Sequence, residues 1–101
     1  MIRFAFIFGI FLPLCAAEHR GTVTFGGLPV PGVSVTALRA ETALRTITDG
    51  NGSYLFPDLA NGTWTVRVEM QVFVPASREI VAGPGSVTWE LQMVPPRRSG
   101  N

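Results

Sequence analysis

Hydrophobic and polar residues alternate with a period of two through most of this chain, in short runs separated by Gly, Pro, Asn and Asp. The clearest run covers residues 63–70, and a second strict run covers residues 33–39. A period of two places alternate side chains on opposite faces of a β-strand, so each run predicts a strand with one buried face. The other predicted strands cover residues 22–25, 44–48, 53–56, 78–81 and 87–93.

Turn-forming residues stand between these runs. Residues 49–52 hold two Asx-Gly dipeptides, which favour the positive φ angles of a tight hairpin. The predicted turn residues, in residues 49–52 and in the turn at 57–62, are Asp49, Gly50, Asn51, Gly52, Asn61 and Gly62. Residues 26–32 combine glycine with proline, which cannot donate a hydrogen bond to a strand ladder, and they predict a loop.

The strand pattern predicts the fold and its core. Seven short strands without a helical period predict an all-β fold, an antiparallel seven-stranded β-sandwich. The apolar face of each strand supplies the core, and on the last strand this face continues from Val87 to Met93. The predicted core residues are Val33, Val35, Phe56, Trp64, Val66, Val68, Trp89 and Leu91.

The first seventeen residues have the pattern of a hydrophobic export signal. Arg3 precedes an apolar stretch at residues 4–14, and small residues lead up to a predicted cleavage after Ala17. The stretch is about half the ~20 residues that a membrane-spanning helix needs. Retention as an anchor and lipidation at Cys15 remain alternatives. We therefore expect an exported protein, whether periplasmic, in the cell envelope or extracellular.

Length and composition limit what the rest of the chain can be. The chain has 101 residues, of which 47% are hydrophobic and 15% are charged, which suffices for one small domain with its own core. We expect a signal peptide at residues 1–17, the sandwich at 18–94 and a flexible tail at 95–101. The formal net charge of +1 supplies no field for nucleic acid, so no nucleic-acid partner is predicted.

Catalytic and metal-binding groups are scarce. His19 is the single histidine, and a solvated position near the new N-terminus is expected for it. No serine lies in a nucleophile elbow. Asp49, Asn51 and Ser53 alternate like the first ligands of a calcium loop, but an EF-hand needs glycine and a carboxylate where Tyr54 and Ala60 stand. The sequence therefore predicts no enzyme, no catalytic residue, no metal site and no cofactor.

Two segments carry a resemblance to a known family. GTVTFGGLPVPGVSVTALR resembles the opening of carboxypeptidase regulatory-like domains, and TDGNGSYLFPDLANGTWTVRVEM resembles their central signature. The similarity covers residues 21–93. It implies a transthyretin-like (prealbumin-like) sandwich that accompanies enzymes, receptors or surface proteins without catalysing a reaction. The family usually has glycine before the aromatic residue of the loop at Phe73, where this chain has Val72.

Two functions are compatible with these observations. The first is a structural or interaction module that docks an envelope or extracellular protein through sheet edges and loops. The alternative is a carbohydrate-binding module, because related sandwich folds include starch-binding modules. A polysaccharide would then contact the loop residues Gln71, Phe73, Ser77 and Arg78. Membrane contact is expected only through an uncleaved signal segment.

Overall fold

The computed structural model describes residues 16–95, and this range contains eight β-strands and no helix. The strands are β1 (Ala16–Phe25), β2 (Leu28–Pro29), β3 (Ser34–Arg39), β4 (Thr42–Ile47), β5 (Ser53–Ala60), β6 (Thr63–Glu69), β7 (Ala76–Val81) and β8 (Ser86–Glu90). The predicted all-β sandwich is confirmed. The strand count is eight rather than seven, because part of the predicted loop at 26–32 forms the short β2, which pairs with the end of β1. Most of the predicted signal and tail lies outside the described residues.

The strands form two four-stranded sheets. In the first sheet β1 pairs with β2, β5 and β8, and in the second the order is β4-β3-β6-β7. Every pair is antiparallel except β1 with β8, which is parallel and sets Thr22 beside Thr88. A parallel pair needs a long connection between its strands. Here the chain between β1 and β8 contains all four strands of the second sheet. The predicted antiparallel sandwich is therefore confirmed, with this one parallel pair as an exception.

β1 and β5 are both longer than predicted. β1 begins at Ala16 rather than Thr22, with an irregularity in register between Ala17 and His19. Its extension pairs with β5, which continues through Pro57 to Ala60. Proline is tolerated there because β5 has no second neighbour in its sheet that would need the missing N–H. The predicted turn at 57–62 therefore shortens to two residues.

The core lies between the two sheets. All eight residues expected there are buried, and they are joined by Val23, Ala37, Tyr54, Leu59 and Ile80. Met93 differs from the expectation, since more than half of its side chain is exposed. β8 ends at Glu90, and Met93 makes only an isolated bridge to Phe73, so the inward alternation stops at Leu91.

The turn at residues 49–52 is closed by its own polar groups. The Asp49 carboxylate accepts hydrogen bonds from the backbone N–H of Asn51 (2.9 Å) and of Ser53 (3.0 Å). Gly52 donates its N–H to the Asp49 carbonyl and has a φ of +71°. Asp49 therefore acts as the acceptor of a tight turn, in line with the turn chemistry of Asx-Gly sequences. The prediction of a hairpin is wrong, because the turn joins β4 to β5 and these strands belong to different sheets.

The loop at Phe73 has, at Val72, a backbone conformation that is typical of glycine. Val72 has a φ of +67°, in the left-handed region. This conformation is unfavourable for a β-branched residue and costs about 1–2 kcal/mol relative to glycine. The valine at position 72 therefore leaves the left-handed backbone of the loop in place and adds strain to it.

Candidate functional site

The four predicted contact residues do not form one site. Gln71 and Phe73 lie in the loop after β6, whereas Ser77 and Arg78 lie on β7. Consecutive residues of a strand point to opposite faces. Ser77 stands opposite Arg67 on the outer face of the second sheet, and Arg78 stands opposite the buried Val66 on the inner face. The fold separates these two side chains, which sequence spacing alone placed together.

The aromatic side chains offer no stacking platform in the part of the chain that the structure describes. Four of them, Tyr54, Phe56, Trp64 and Trp89, are buried. Phe25 and Phe73 are partly exposed, but their rings pack edge to face with centroids 5.1 Å apart. The Arg78 guanidinium lies 4.8 Å from the centroid of the Trp89 ring, where it covers this ring at the edge of the sandwich.

A buried polar cluster joins three strands of the first sheet. The Tyr54 hydroxyl accepts a hydrogen bond from Trp89 Nε1 (3.0 Å) and lies 2.9 Å from His19 Nε2. The indole can only donate, so the Tyr54 hydroxyl keeps its own proton for a hydrogen bond with His19, whose direction depends on the tautomer of the imidazole. His19 is only 3% exposed. The expectation of a solvated His19 is wrong, because the extension of β1 places it opposite Phe56 inside the sandwich.

Burial sets the protonation of this cluster. It lowers the pKa of His19 and raises the pKa of Tyr54, with the Trp89 hydrogen bond and the Arg78 charge opposing the latter shift. A general base must reach its substrate. His19 is enclosed and its Nε2 is occupied by Tyr54. The arrangement is therefore suited to holding β1, β5 and β8 together.

We expect the stability of the domain to fall as the pH drops below about 6.5. The pKa of His19 is lowered from 6.5 by burial, so the unfolded chain binds the proton more readily and stability rises with pH across this window. Urea denaturation at a series of pH values checks this. His19→Phe should flatten the pH dependence of stability above pH 5; an unchanged slope in this variant would contradict the role of His19 in it.

Glu90 affects stability at lower pH. Hydrogen bonds from Thr24 and Gly26 lower the pKa of Glu90 from 4.5, so the stability that its carboxylate contributes is lost only at more acidic pH.

β4 is one of the two edge strands of the second sheet, and β7 is the other. β4 pairs with β3 alone, and every residue of it except Thr46 is exposed. Its sequence, TALRTI, has one charge and no proline. The other edges carry protecting residues: β7 contains Arg78 and Glu79, β5 contains Pro57 and Asp58, and β8 ends in Glu90. Charges and prolines on an edge discourage strand pairing. β4 and β8 each have one charge and no proline, but β4 is exposed at five of its six positions and β8 at three of its five, so β4 is the more accessible edge.

A cleft of about 540 Å³ lies beside the end of β4. Its walls come from β1, β5 and β4, with one residue of β8, and it is rich in hydroxyl groups. The lining residues are Arg20, Gly21, Thr22, Thr46, Ile47, Asp49, Ser53, Tyr54, Leu55 and Ser86. Because Thr46 and Ile47 belong to both the cleft and the edge, a chain lying along β4 would place side chains over this cleft.

Residues 16–95 contain no group of three or more His, Cys, Asp or Glu side chains that could hold a metal ion. Over the same residues, no helix has the length and apolar character needed to cross a membrane.

Comparison with known proteins identifies the domain type. A family model described as carboxypeptidase regulatory-like domain matches residues 20–94, about three quarters of the chain. The match agrees with the segments that carry the resemblance and with the all-β sandwich. Comparison with curated proteins finds no match. The chain therefore belongs to the carboxypeptidase regulatory-like domain family, whose members are non-catalytic β-sandwich modules.

Proposed function

We propose that this protein is an exported, non-catalytic interaction module that docks a protein partner in the cell envelope or outside the cell by strand addition to β4. The observation that carries the proposal is the β4 edge, which has one hydrogen-bonding neighbour, a single charged residue and five exposed residues out of six. An extended segment of the partner would satisfy the free N–H and C=O groups of this edge.

Side chains around β4 support recognition as well as backbone pairing. Ile47 is 58% exposed and Leu44 is 38% exposed, so both present apolar surface to an incoming strand. The adjacent cleft supplies hydroxyl groups, together with Arg20 and Asp49. Main-chain pairing provides affinity in strand addition, and pockets for alternate side chains provide specificity. The hydrophobic segment at residues 1–17 supports export.

Site-specific photo-crosslinking in the source cells tests this proposal. A photoreactive amino acid is placed at Arg45 on β4, and in a separate variant at Glu79 on β7, the opposite edge of the same sheet. We expect a reproducible protein adduct from position 45 and none from position 79. Equal labelling from both positions would contradict docking at β4. Capture of glycan alone, lost in Phe73→Ala, would favour the carbohydrate-binding alternative.

A further inference from the structure

The chain contains two Asn-Gly dipeptides, Asn51-Gly52 and Asn61-Gly62, and both asparagines are exposed. Asparagine is a chemically labile residue, and a glycine after it favours reaction, because glycine has no Cβ to hinder attack of its backbone nitrogen on the asparagine side chain. The two dipeptides are identical in composition. A difference in their reactivity must therefore come from their surroundings in the fold.

The fold protects the first dipeptide. Gly52 is buried, and its N–H donates to the Asp49 carbonyl at 2.9 Å. The Gly52 carbonyl in turn accepts the N–H of Val23 at 2.8 Å. A nitrogen that is buried and hydrogen-bonded does not readily lose its proton or move toward a neighbouring side chain. We therefore expect Asn51 to stay intact while the domain is folded.

The second dipeptide lies open in the turn between β5 and β6, which belong to different sheets. Asn61 and Gly62 are both exposed. Within residues 16–95, the Gly62 N–H has no hydrogen-bond acceptor. The Gly62 nitrogen is therefore accessible to solvent, and no hydrogen bond within this range has to break before it reacts.

Arg39 lies against the peptide group that joins Asn61 to Gly62. Its Nη1 donates to the Asn61 carbonyl oxygen at 2.8 Å. A Cβ added to Gly62 would lie 2.7 Å from the same Nη1, so glycine at this position leaves room for the guanidinium. The guanidinium also lies 4.6 Å from the centroid of the Trp64 ring, which holds it in place. A positive charge is thus fixed beside this peptide group.

This contact favours attack by the Gly62 nitrogen, because that nitrogen and the Asn61 carbonyl belong to one peptide group. When the nitrogen loses its proton, the negative charge spreads onto the carbonyl oxygen, where the Arg39 guanidinium stabilises it. We propose that Asn61 is a self-modification site, which converts to isoaspartate through a cyclic imide with Gly62, and that Arg39 promotes the conversion.

The reaction needs no reagent other than water. The Gly62 nitrogen forms a bond to Asn61 Cγ, and the side-chain amide nitrogen leaves as ammonia, taking up the proton that the peptide nitrogen lost. Water then attacks the α-carbonyl carbon, which Arg39 polarises, and breaks its bond to the Gly62 nitrogen. The main chain now runs through Cγ, and the former carbonyl oxygen belongs to a free α-carboxylate. Nothing is oxidised or reduced.

The product changes the turn in two ways. It carries a negative charge that asparagine lacks, and its main chain is longer by one methylene group. The oxygen that Arg39 binds becomes part of the new carboxylate, so this hydrogen bond gains an ionic component. The proposal does not depend on strand addition at β4, because it rests on this turn and on Arg39.

Peptide mapping by mass spectrometry tests the proposal in the full chain. The folded protein is incubated at mildly alkaline pH, and each asparagine is followed by the mass change from amide to acid. Diagnostic fragment ions distinguish isoaspartate from aspartate. We expect conversion at Asn61, mainly to isoaspartate, and none at Asn51, whereas a parallel sample in urea should convert both. An Asn61 that stays intact in the folded protein over the time in which urea converts it would overturn the proposal. Equal conversion of Asn51 and Asn61 in the folded protein would overturn it as well.

Variants of two arginines test the role of the guanidinium. Arg39→Gln should slow the conversion of Asn61 by about 5- to 10-fold and lower the share of isoaspartate in the product. Arg67→Gln is the matched control, because it removes the same charge from β6, where Arg67 pairs with Glu69, and it should leave the rate unchanged. Conversion of Asn61 that is as fast in Arg39→Gln as in the wild type, with Asn51 intact in both, would overturn the role of Arg39.

Discussion

Replacing Trp64 by alanine is expected to destabilise the domain by about 3–5 kcal/mol and to leave much of it unfolded. Trp64 is buried in the core, and its Nε1 donates to the Ala60 carbonyl at 2.9 Å. The Arg39 guanidinium lies 4.6 Å from the centroid of its ring. The substitution removes the packing, the hydrogen bond and the cation–π contact together. A domain of about 80 residues has only about 4–12 kcal/mol of stability, so the loss is a large fraction of it.

Urea denaturation followed by circular dichroism measures the effect. Thr63→Ala is the matched control, because Thr63 is the exposed neighbour of Trp64 on β6 and its loss should change stability by no more than about 0.5 kcal/mol. Trp64→Phe should fall between the two, since it keeps much of the apolar area but leaves the Ala60 carbonyl without its donor. A Trp64→Ala protein that unfolds cooperatively near the wild-type midpoint would contradict the importance of this residue to the core.

Replacing Gly52 by alanine should destabilise the domain by about 2–5 kcal/mol. Gly52 has a φ of +71°, and an added Cβ would lie 2.7 Å from the Val23 carbonyl oxygen and 3.0 Å from the Val30 nitrogen. These neighbours belong to the backbone and cannot rotate away. Moving Gly52 instead would stretch the 2.8 Å hydrogen bond from the Val23 N–H to its carbonyl.

Gly50 provides the control within the same turn. It has no positive φ, and a Cβ there would meet nothing within 4 Å. Gly50→Ala should therefore be neutral or should stabilise the domain by up to about 1 kcal/mol. Thermal unfolding of the two variants side by side checks the difference. Equal melting temperatures would show that the close approach of Gly52 to β1 does not limit stability.

The family match identifies the kind of domain, and the exposed surface of the domain is the basis for proposing what it binds. A carboxypeptidase regulatory-like sandwich is a non-catalytic module, and the described residues 16–95 gather no catalytic or metal-binding group around an accessible centre. The surface on which the proposed function rests is the β4 edge, which offers backbone hydrogen bonds to a partner.

The candidate sites were only partly predictable. Exposed sheet edges follow from any open sandwich, but the identity of the open edge depends on strand order, which places β4 outside β3. Ser77 and Arg78 were predicted together as polar loop residues near Phe73, whereas both lie on β7 and its pairing with β6 turns them to opposite faces. The contacts of Phe73 with Phe25 and Met93 were not predicted, since these residues lie in segments that are far apart in the sequence.

The sequence by itself determined the strands, their buried faces, the turns and the family. These features depend on periodicity and turn chemistry within a few residues, which local physics fixes. Tertiary structure alone decided the parallel pairing of β1 with β8, the burial of His19 and the packing of Phe25 on Phe73. Each of these joins residues far apart in the chain, such as Thr22 and Thr88. Long-range packing of the two sheets selects such partners, and no local pattern records them.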